Sequence, residues 1–328
     1  MDGETYHRSL LRSTPGFVED PYPARMAHLL LEYPGVMVFY LFTLLTMAYL
    51  WLLGARRRRL QVGEVSLVYY QIGPKDGEPW VLLHGLGSVA AGWGPVLRRL
   101  RRGCRIIVPE LSVLGGSDVP GGGLGVRQGV DVVARLIESE FGGRPVTVAG
   151  ISLGGWLATR LALARPELIS RLVLIDAGGY RDQDWDEIER LIRVRDMAGV
   201  EQLYGAMFAH TPWIMRVSRA GFLKAYTSRA VTCVLDRLTE ADTYDDRDLA
   251  RLHMPTFLLW GEKDGIFHVE AARAMAAALP NATLEVLPDL GHAVHIERPR
   301  RLAAALQRIR RSQAPRAALK TTGSPASI

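Results

Sequence analysis

The chain of 328 residues is 48% apolar, carries a formal net charge of +6 and has two cysteines. That apolar share supplies a sizeable core and excludes disorder for most of the chain, while Cys104 and Cys233 are too few for a disulfide framework, fit no metal-ligand spacing and read as core thiols. The basic residues gather at 56–59, 98–105 and beyond 298 without interleaved aromatics, which points to a membrane surface and away from nucleic acid.

Residues 1–34 read as a leader that carries Glu19, Asp20 and Glu32. Residues 35–53 hold no charge, and as a helix they extend about 29 Å, the thickness of a bilayer's hydrocarbon core. Tyr33 at one end and Tyr49 with Trp51 near the other have the character of interfacial anchors, and Arg56, Arg57, Arg58 and Arg59 end the run abruptly. A secretory signal has a basic leader and a small-residue cleavage site, whereas here an acidic leader precedes the apolar run and arginines follow it. Residues 35–55 are therefore expected to form an uncleaved transmembrane helix that places the downstream domain on the cytoplasmic side. The competing readings are a buried core helix or an amphipathic one lying on the surface; a segment apolar on every side favours the span.

From residue 60 short apolar runs at 65–70, 80–83, 106–108, 146–149, 172–175, 257–260 and 284–287 read as strands, with helical spacing between most of them, as at Val130, Val133, Ala134 and Ile137. Alternation of this kind predicts a mostly parallel sheet covered by helices on both faces, which binds ligands at the C-terminal ends of its strands. The polar motifs all fall at such ends.

His84-Gly85-Leu86-Gly87 follows one strand. Glycines on both sides of Leu86 allow its backbone N–H to turn inward and form, with the N–H of Leu153, a two-donor oxyanion hole; the plainer reading is a tight turn, organised by His84. Gly150-Ile151-Ser152-Leu153-Gly154 follows another strand and opens a helix. A G-x-S-x-G arises by chance in a chain with 33 glycines, but this placement is that of a nucleophile elbow, where Gly150 and Gly154 leave room for a strained Ser152. Asp264 stands four residues after the strand that ends at Trp260, and His292 follows the last strand in a glycine-containing loop. Serine, acid and histidine in that order predict a triad in which Ser152 attacks, His292 carries the proton and Asp264 holds the imidazole. Asp264 as a mere helix cap, Asp176 as the acid and His295 as the base are the rival assignments. No metal and no cofactor are expected.

The segments His84-Gly85, Ser152-Leu153-Gly154-Gly155, Met254-Pro255-Thr256 through Asp264, and Gly291-His292 through Glu297-Arg298-Pro299 resemble the α/β-hydrolase superfamily over residues 60–311. With the N-terminal span they look most like its membrane-anchored monoacylglycerol lipase branch and the bacterial relatives of that branch. The resemblance implies an α/β-hydrolase fold and hydrolysis of a lipid ester through an acyl-enzyme. One departure is Glu110-Leu111-Ser112-Val113-Leu114-Gly115-Gly116-Ser117, where the family has an aspartate and a Gly-x-Gly loop.

Residues 177–252 are too long for a connection and read as a helical cap that walls an apolar pocket; residues 312–328 read as a disordered basic tail. The expected partners are a lipid ester, monoacylglycerol above all, and the bilayer through residues 35–53, with no nucleic acid and no oligomeric state indicated. Two other functions compete: carbon-carbon bond hydrolysis of dienol-ketone acids, with Arg190 or Arg193 as the cationic group, and a catalytically silent scaffold. A scaffold has no use for a strained elbow. A chain beginning near Leu60 is expected to be soluble and active on short esters.

Overall fold

An eight-stranded sheet of order β1-β2-β4-β3-β5-β6-β7-β8 runs through the computed structural model, which describes residues 34–312. The expected leader and basic tail, and Tyr33, lie outside the described residues apart from Pro34 and Ser312. The first half comprises α1 (Pro34–Leu52), β1 (Arg56–Val62), β2 (Val65–Ile72), β3 (Glu78–Leu83), α2 (Gly94–Leu100), β4 (Cys104–Pro109), α3 (Val126–Phe141), β5 (Val146–Ile151) and α4 (Leu153–Ala164). After β6 (Ile169–Ile175) come six helices, α5 (Trp185–Ile192), α6 (Met197–Met207), α7 (Trp213–Val217), α8 (Arg219–Tyr226), α9 (Arg229–Leu235) and α10 (Asp246–Leu249). The chain then returns through β7 (Thr256–Gly261), α11 (Val269–Ala278), β8 (Ala282–Leu287), α12 (Val294–Glu297) and α13 (Pro299–Arg311).

From β4 to β8 every neighbouring pair is parallel, and β1 and β2 add an antiparallel edge. Side chains alternate across the pleat: Val146 and Val148 of β5 enter one core, Ala149 and Ile151 the other. All six residues of β5 are buried, as a strand covered on both faces requires. This is the α/β-hydrolase fold that the sequence predicts. Val130, Val133, Ala134 and Ile137 of α3 are the buried stripe expected from their spacing.

The sheet begins before residue 60. Arg56–Arg59, read as the stop after a span, form the start of β1 and pair with Val68 to Gln71 of β2. An edge strand tolerates charge because one side of it meets water, and charge there also discourages pairing with other chains. Only two residues, Gly63 and Glu64, join β1 to β2, with Gly63 at φ +55°.

No linker separates α1 from this edge. Its C-terminus closes in a Schellman motif: Gly54, at φ +81°, donates its N–H to the Trp51 carbonyl at 2.8 Å, and Ala55 donates to the Leu50 carbonyl at 3.0 Å. Leu50, Leu53 and Ala55 are buried in the same core as Trp93 and Leu97. A chain beginning at Leu60 would lose these side chains and the first four residues of β1. The lost burial of Leu50 and Leu53 is about 2 kcal/mol each, so a chain that begins at residue 60 should be less stable than the full chain.

Candidate active site

The strand β5 ends at Ile151 and α4 begins at Leu153, which leaves Ser152 alone at φ 56° and ψ −123°. A non-glycine residue in this region carries about 1–3 kcal/mol of strain. The surroundings hold it there. The Ser152 N–H donates to the Ile175 carbonyl at 3.0 Å, and its own carbonyl accepts from Gly155 at 2.9 Å and Trp156 at 3.0 Å. The flanking glycines are steric necessities: a Cβ on Gly150 would stand 2.1 Å from the Gly154 carbonyl oxygen, and one on Gly154 would stand 2.4 Å from that of Leu83.

Gly85 meets this turn directly, since a Cβ there would come within 3.1 Å of the Ser152 Cβ. The N–H groups of Leu86 and Leu153 have no backbone acceptor among the described residues. Both leucines, with Gly85 and Gly87, line the same cavity as Ser152. Gly87, at φ +67°, packs against Tyr226 of the cap.

His84 organises this loop. Its Nδ1 bonds the Gly85 carbonyl at 2.9 Å and its Nε2 accepts from the Leu111 N–H at 3.0 Å, a pattern that requires the neutral ring. Burial agrees, lowering its pKa to about 4. Glu110, where the family has aspartate, accepts from the Ala90 N–H at 3.0 Å and ties β4 to the segment after the loop. Gly115 packs beside it, since a Cβ there would fall 2.0 Å from the carboxyl carbon and the carboxyl would have to shift. Val113 sits in a short 3₁₀ turn, Val113–Gly115.

Burial pushes the Glu110 carboxyl up from 4.5 to about 7. A raised carboxyl pKa means that this group's contribution is intact below pH 4.5 and is lost as pH rises through 7, because the unfolded chain releases the proton first. The loss is on the order of 3 kcal/mol. Glu110→Gln keeps an acceptor for Ala90 and has no proton to release. Its melting temperature relative to wild type should therefore climb across that window, and a difference that stays constant with pH would show that Glu110 does not titrate there.

His292 and Asp264 meet at the far end of the sheet. The His292 Nδ1 lies 2.8 Å from Asp264 Oδ2, and both side chains are buried. The other carboxylate oxygen, Oδ1, accepts from the N–H groups of Ile266 at 2.8 Å and Phe267 at 3.0 Å, so Asp264 anchors its own loop; α11 starts later and takes no side-chain cap from it. Phe267 sets its ring edge-on to His292 at 5.4 Å. Asp176 accepts from the Gly261 N–H at 2.7 Å, and among the described residues it makes no hydrogen bond to His292. Complete burial and the nearby Asp264 hold its carboxyl well above the ordinary range. His295 is buried against Trp93, with ring centroids 5.9 Å apart, and burial lowers its pKa to about 3.

Ser152 and His292 open on one cavity of about 400 Å³, within the range of small-molecule sites. Among the described residues no Lys, Arg, Asp or Glu lines it. Cap residues Ile188, Ile192, Met215 and Phe222 form one wall. Arg190 and Arg193 stay outside, paired with Glu187 at 3.6 Å and with Glu189 and Asp236 at 2.5 and 2.8 Å. Sequence reasoning missed four wall residues, Phe39, Phe42, Thr43 and Thr46 of α1. A run apolar on every side carries no signal of which side faces a pocket.

A family model described as "Alpha/beta hydrolase family" matches residues 80–305. Lipase 3 of a Moraxella species is 23% identical over 71% of this chain and 77% of its own length. A 2-hydroxy-6-oxo-2,4-heptadienoate hydrolase of Pseudomonas putida is 26% identical over 74% of this chain and 92% of its own. Among solved structures, a membrane phospholipase A described as a bacterial virulence factor superposes with a TM-score of 0.73 at 22% identity, over 89% of this chain and 99% of that one.

Proposed function

We propose that this chain, which belongs to the alpha/beta hydrolase family, is a serine hydrolase that cleaves carboxylic esters of lipids, monoacylglycerols foremost. The Nδ1–H of His292 donates a hydrogen bond to Asp264, which leaves Nε2 free to accept the Ser152 hydroxyl proton as the serine oxygen attacks the ester carbonyl. Asp264 stabilises the imidazolium that results. The N–H groups of Leu86 and Leu153 take the charge that develops on the carbonyl oxygen. The C–O bond then breaks, His292 returns the proton to the departing alcohol, and water repeats the sequence in reverse on the acyl-enzyme to release the acid.

One observation carries the substrate class: the cavity that holds Ser152 and His292 is apolar and, among the described residues, is lined by no Lys, Arg, Asp or Glu. An acyl chain gains by leaving water for such a site, whereas an acidic substrate would enter it without a counter-ion. That weighs against carbon-carbon hydrolysis of dienol-ketone acids, the activity named for the Pseudomonas relative, because Arg190 and Arg193 are paired elsewhere. The packing of a strained Ser152 in the cavity that Leu86 and Leu153 also line, their N–H groups without a backbone acceptor among the described residues, speaks against a silent scaffold. A panel decides: the wild type should label with a fluorophosphonate and hydrolyse monoacylglycerols and neutral esters. Turnover of acidic dienol-ketones in preference to every ester would overturn this reading.

The helix α1, with a mean hydropathy of 1.8 over Gly35–Leu52, is long and apolar enough to cross a membrane. With Arg56–Arg59 beside it, we place the protein on a bilayer with its catalytic body at the cytoplasmic face. Length and charge alone favour a single pass; the packing of α1 against the body favours a placement along the membrane surface.

A further inference from the structure

The helix α1 has two different sides. Met37, Leu41, Leu44, Leu45, Trp51 and Leu52 are exposed by 42–74% and, with the exposed Ala48 between Leu45 and Trp51, lie along one side of the helix. Such a continuous apolar stripe marks a surface that water does not cover. It continues onto the cap: Trp213 and Val217, four residues apart on α7, are 73% and 48% exposed, and the Val217 carbonyl lies against Gly35. The opposite side packs on the body over the whole helix. At the N-terminal half, Gly221 of α8 admits Phe39 so closely that a Cβ would stand 2.2 Å from the Phe39 Cβ. At the C-terminal half, Tyr49 lies against Gly94, and Leu50 is buried.

This packing conflicts with a perpendicular crossing. Arg219 of α8 pairs with Glu201 at 2.7 Å beside the N-terminal half of α1, and both are more than half exposed. A helix that crossed the bilayer would carry these charges into hydrocarbon, which is costly. A helix that lies along the surface, stripe downward, leaves them at headgroup level. The same placement puts the cavity next to lipid. Phe39, Phe42, Thr43 and Thr46 line it, and the two threonine hydroxyls bond the helix's own carbonyls, Phe39 at 2.9 Å and Thr43 at 2.8 Å, so their methyl groups complete an apolar wall.

We propose that α1 is a one-sided membrane-embedded wall of the active site. Its outer stripe lies in the cytoplasmic leaflet, and its inner side guides an acyl chain from that leaflet to Ser152 without the helix crossing the bilayer. This rests on the ester hydrolase reading and adds the route by which the substrate arrives.

Two measurements on the full-length chain test it. In sealed right-side-out vesicles, epitope tags before Met1 and after Ile328 should both resist protease and both become sensitive on lysis; digestion of the N-terminal tag alone, which means a single pass, overturns the proposal. The second compares monoacylglycerol in phosphatidylcholine–phosphatidylglycerol vesicles with a short soluble ester. The combined changes Leu41→Glu, Leu44→Glu and Leu45→Glu should lower the ratio of the two rates about tenfold or more, because the embedded stripe is lost. Thr43→Trp should lower the rate on long-chain relative to short-chain esters. Ratios equal to wild type in both variants overturn the proposal while ester hydrolysis itself stands. Absence of ester hydrolysis in the wild type instead removes the function on which it rests.

Discussion

Replacing Ser152 by alanine should lower ester hydrolysis by about 10⁶-fold, the loss met when the nucleophile of such a unit is removed, and should abolish fluorophosphonate labelling. The fold should be almost unaffected. Alanine meets the same backbone strain at φ 56°, the hydrogen bonds that hold the turn use the backbone of residue 152, and the missing hydroxyl takes part in no hydrogen bond among the described residues. A melting temperature near wild type together with the lost rate therefore isolates chemistry from stability. If the variant retained a rate within about tenfold of wild type, another group would be the nucleophile and the acyl-enzyme on Ser152 would be wrong.

Asp264→Asn should cost about 10⁴-fold, because an amide in place of the carboxylate no longer holds His292 in the tautomer that offers Nε2 to the serine. Asp176→Asn should cost about tenfold or less, since His292 bonds Asp264 and the carbonyl oxygen of an asparagine at 176 can still accept from Gly261. The two substitutions discriminate between acids that both stand at the end of a buried strand. The reverse ranking, with Asp176→Asn the more damaging, would move the role to Asp176 and leave the 2.8 Å contact between Asp264 and His292 as a structural one.

The turn at Ser152 is legible in the sequence because its requirements are local. Gly150 and Gly154 are needed where a strand reverses into a helix within one residue, and the 2.1 Å contact that a Cβ on Gly150 would make is with Gly154 of the same turn, whereas the 2.4 Å contact at Gly154 is with Leu83 of the neighbouring strand. The parallel sheet is legible for a similar reason, since the apolar period changes from strand to helix within each unit. The arginines at 56–59 are legible as charge beside an apolar run but not as the first residues of β1, because the edge of a sheet accepts the same residues.

By itself, then, the sequence determined the fold class, the strained serine and the set of polar groups at the strand ends, all of which follow from sterics and periodicity between near neighbours in the chain. Tertiary structure alone decided which acid His292 meets, that Arg190 and Arg193 stay outside the cavity, and that α1 lends it Phe39, Phe42, Thr43 and Thr46. Each of these depends on groups distant in sequence, such as Phe39 against Gly221, being packed together by the core, and no local period encodes which face of a uniformly apolar helix the body will cover.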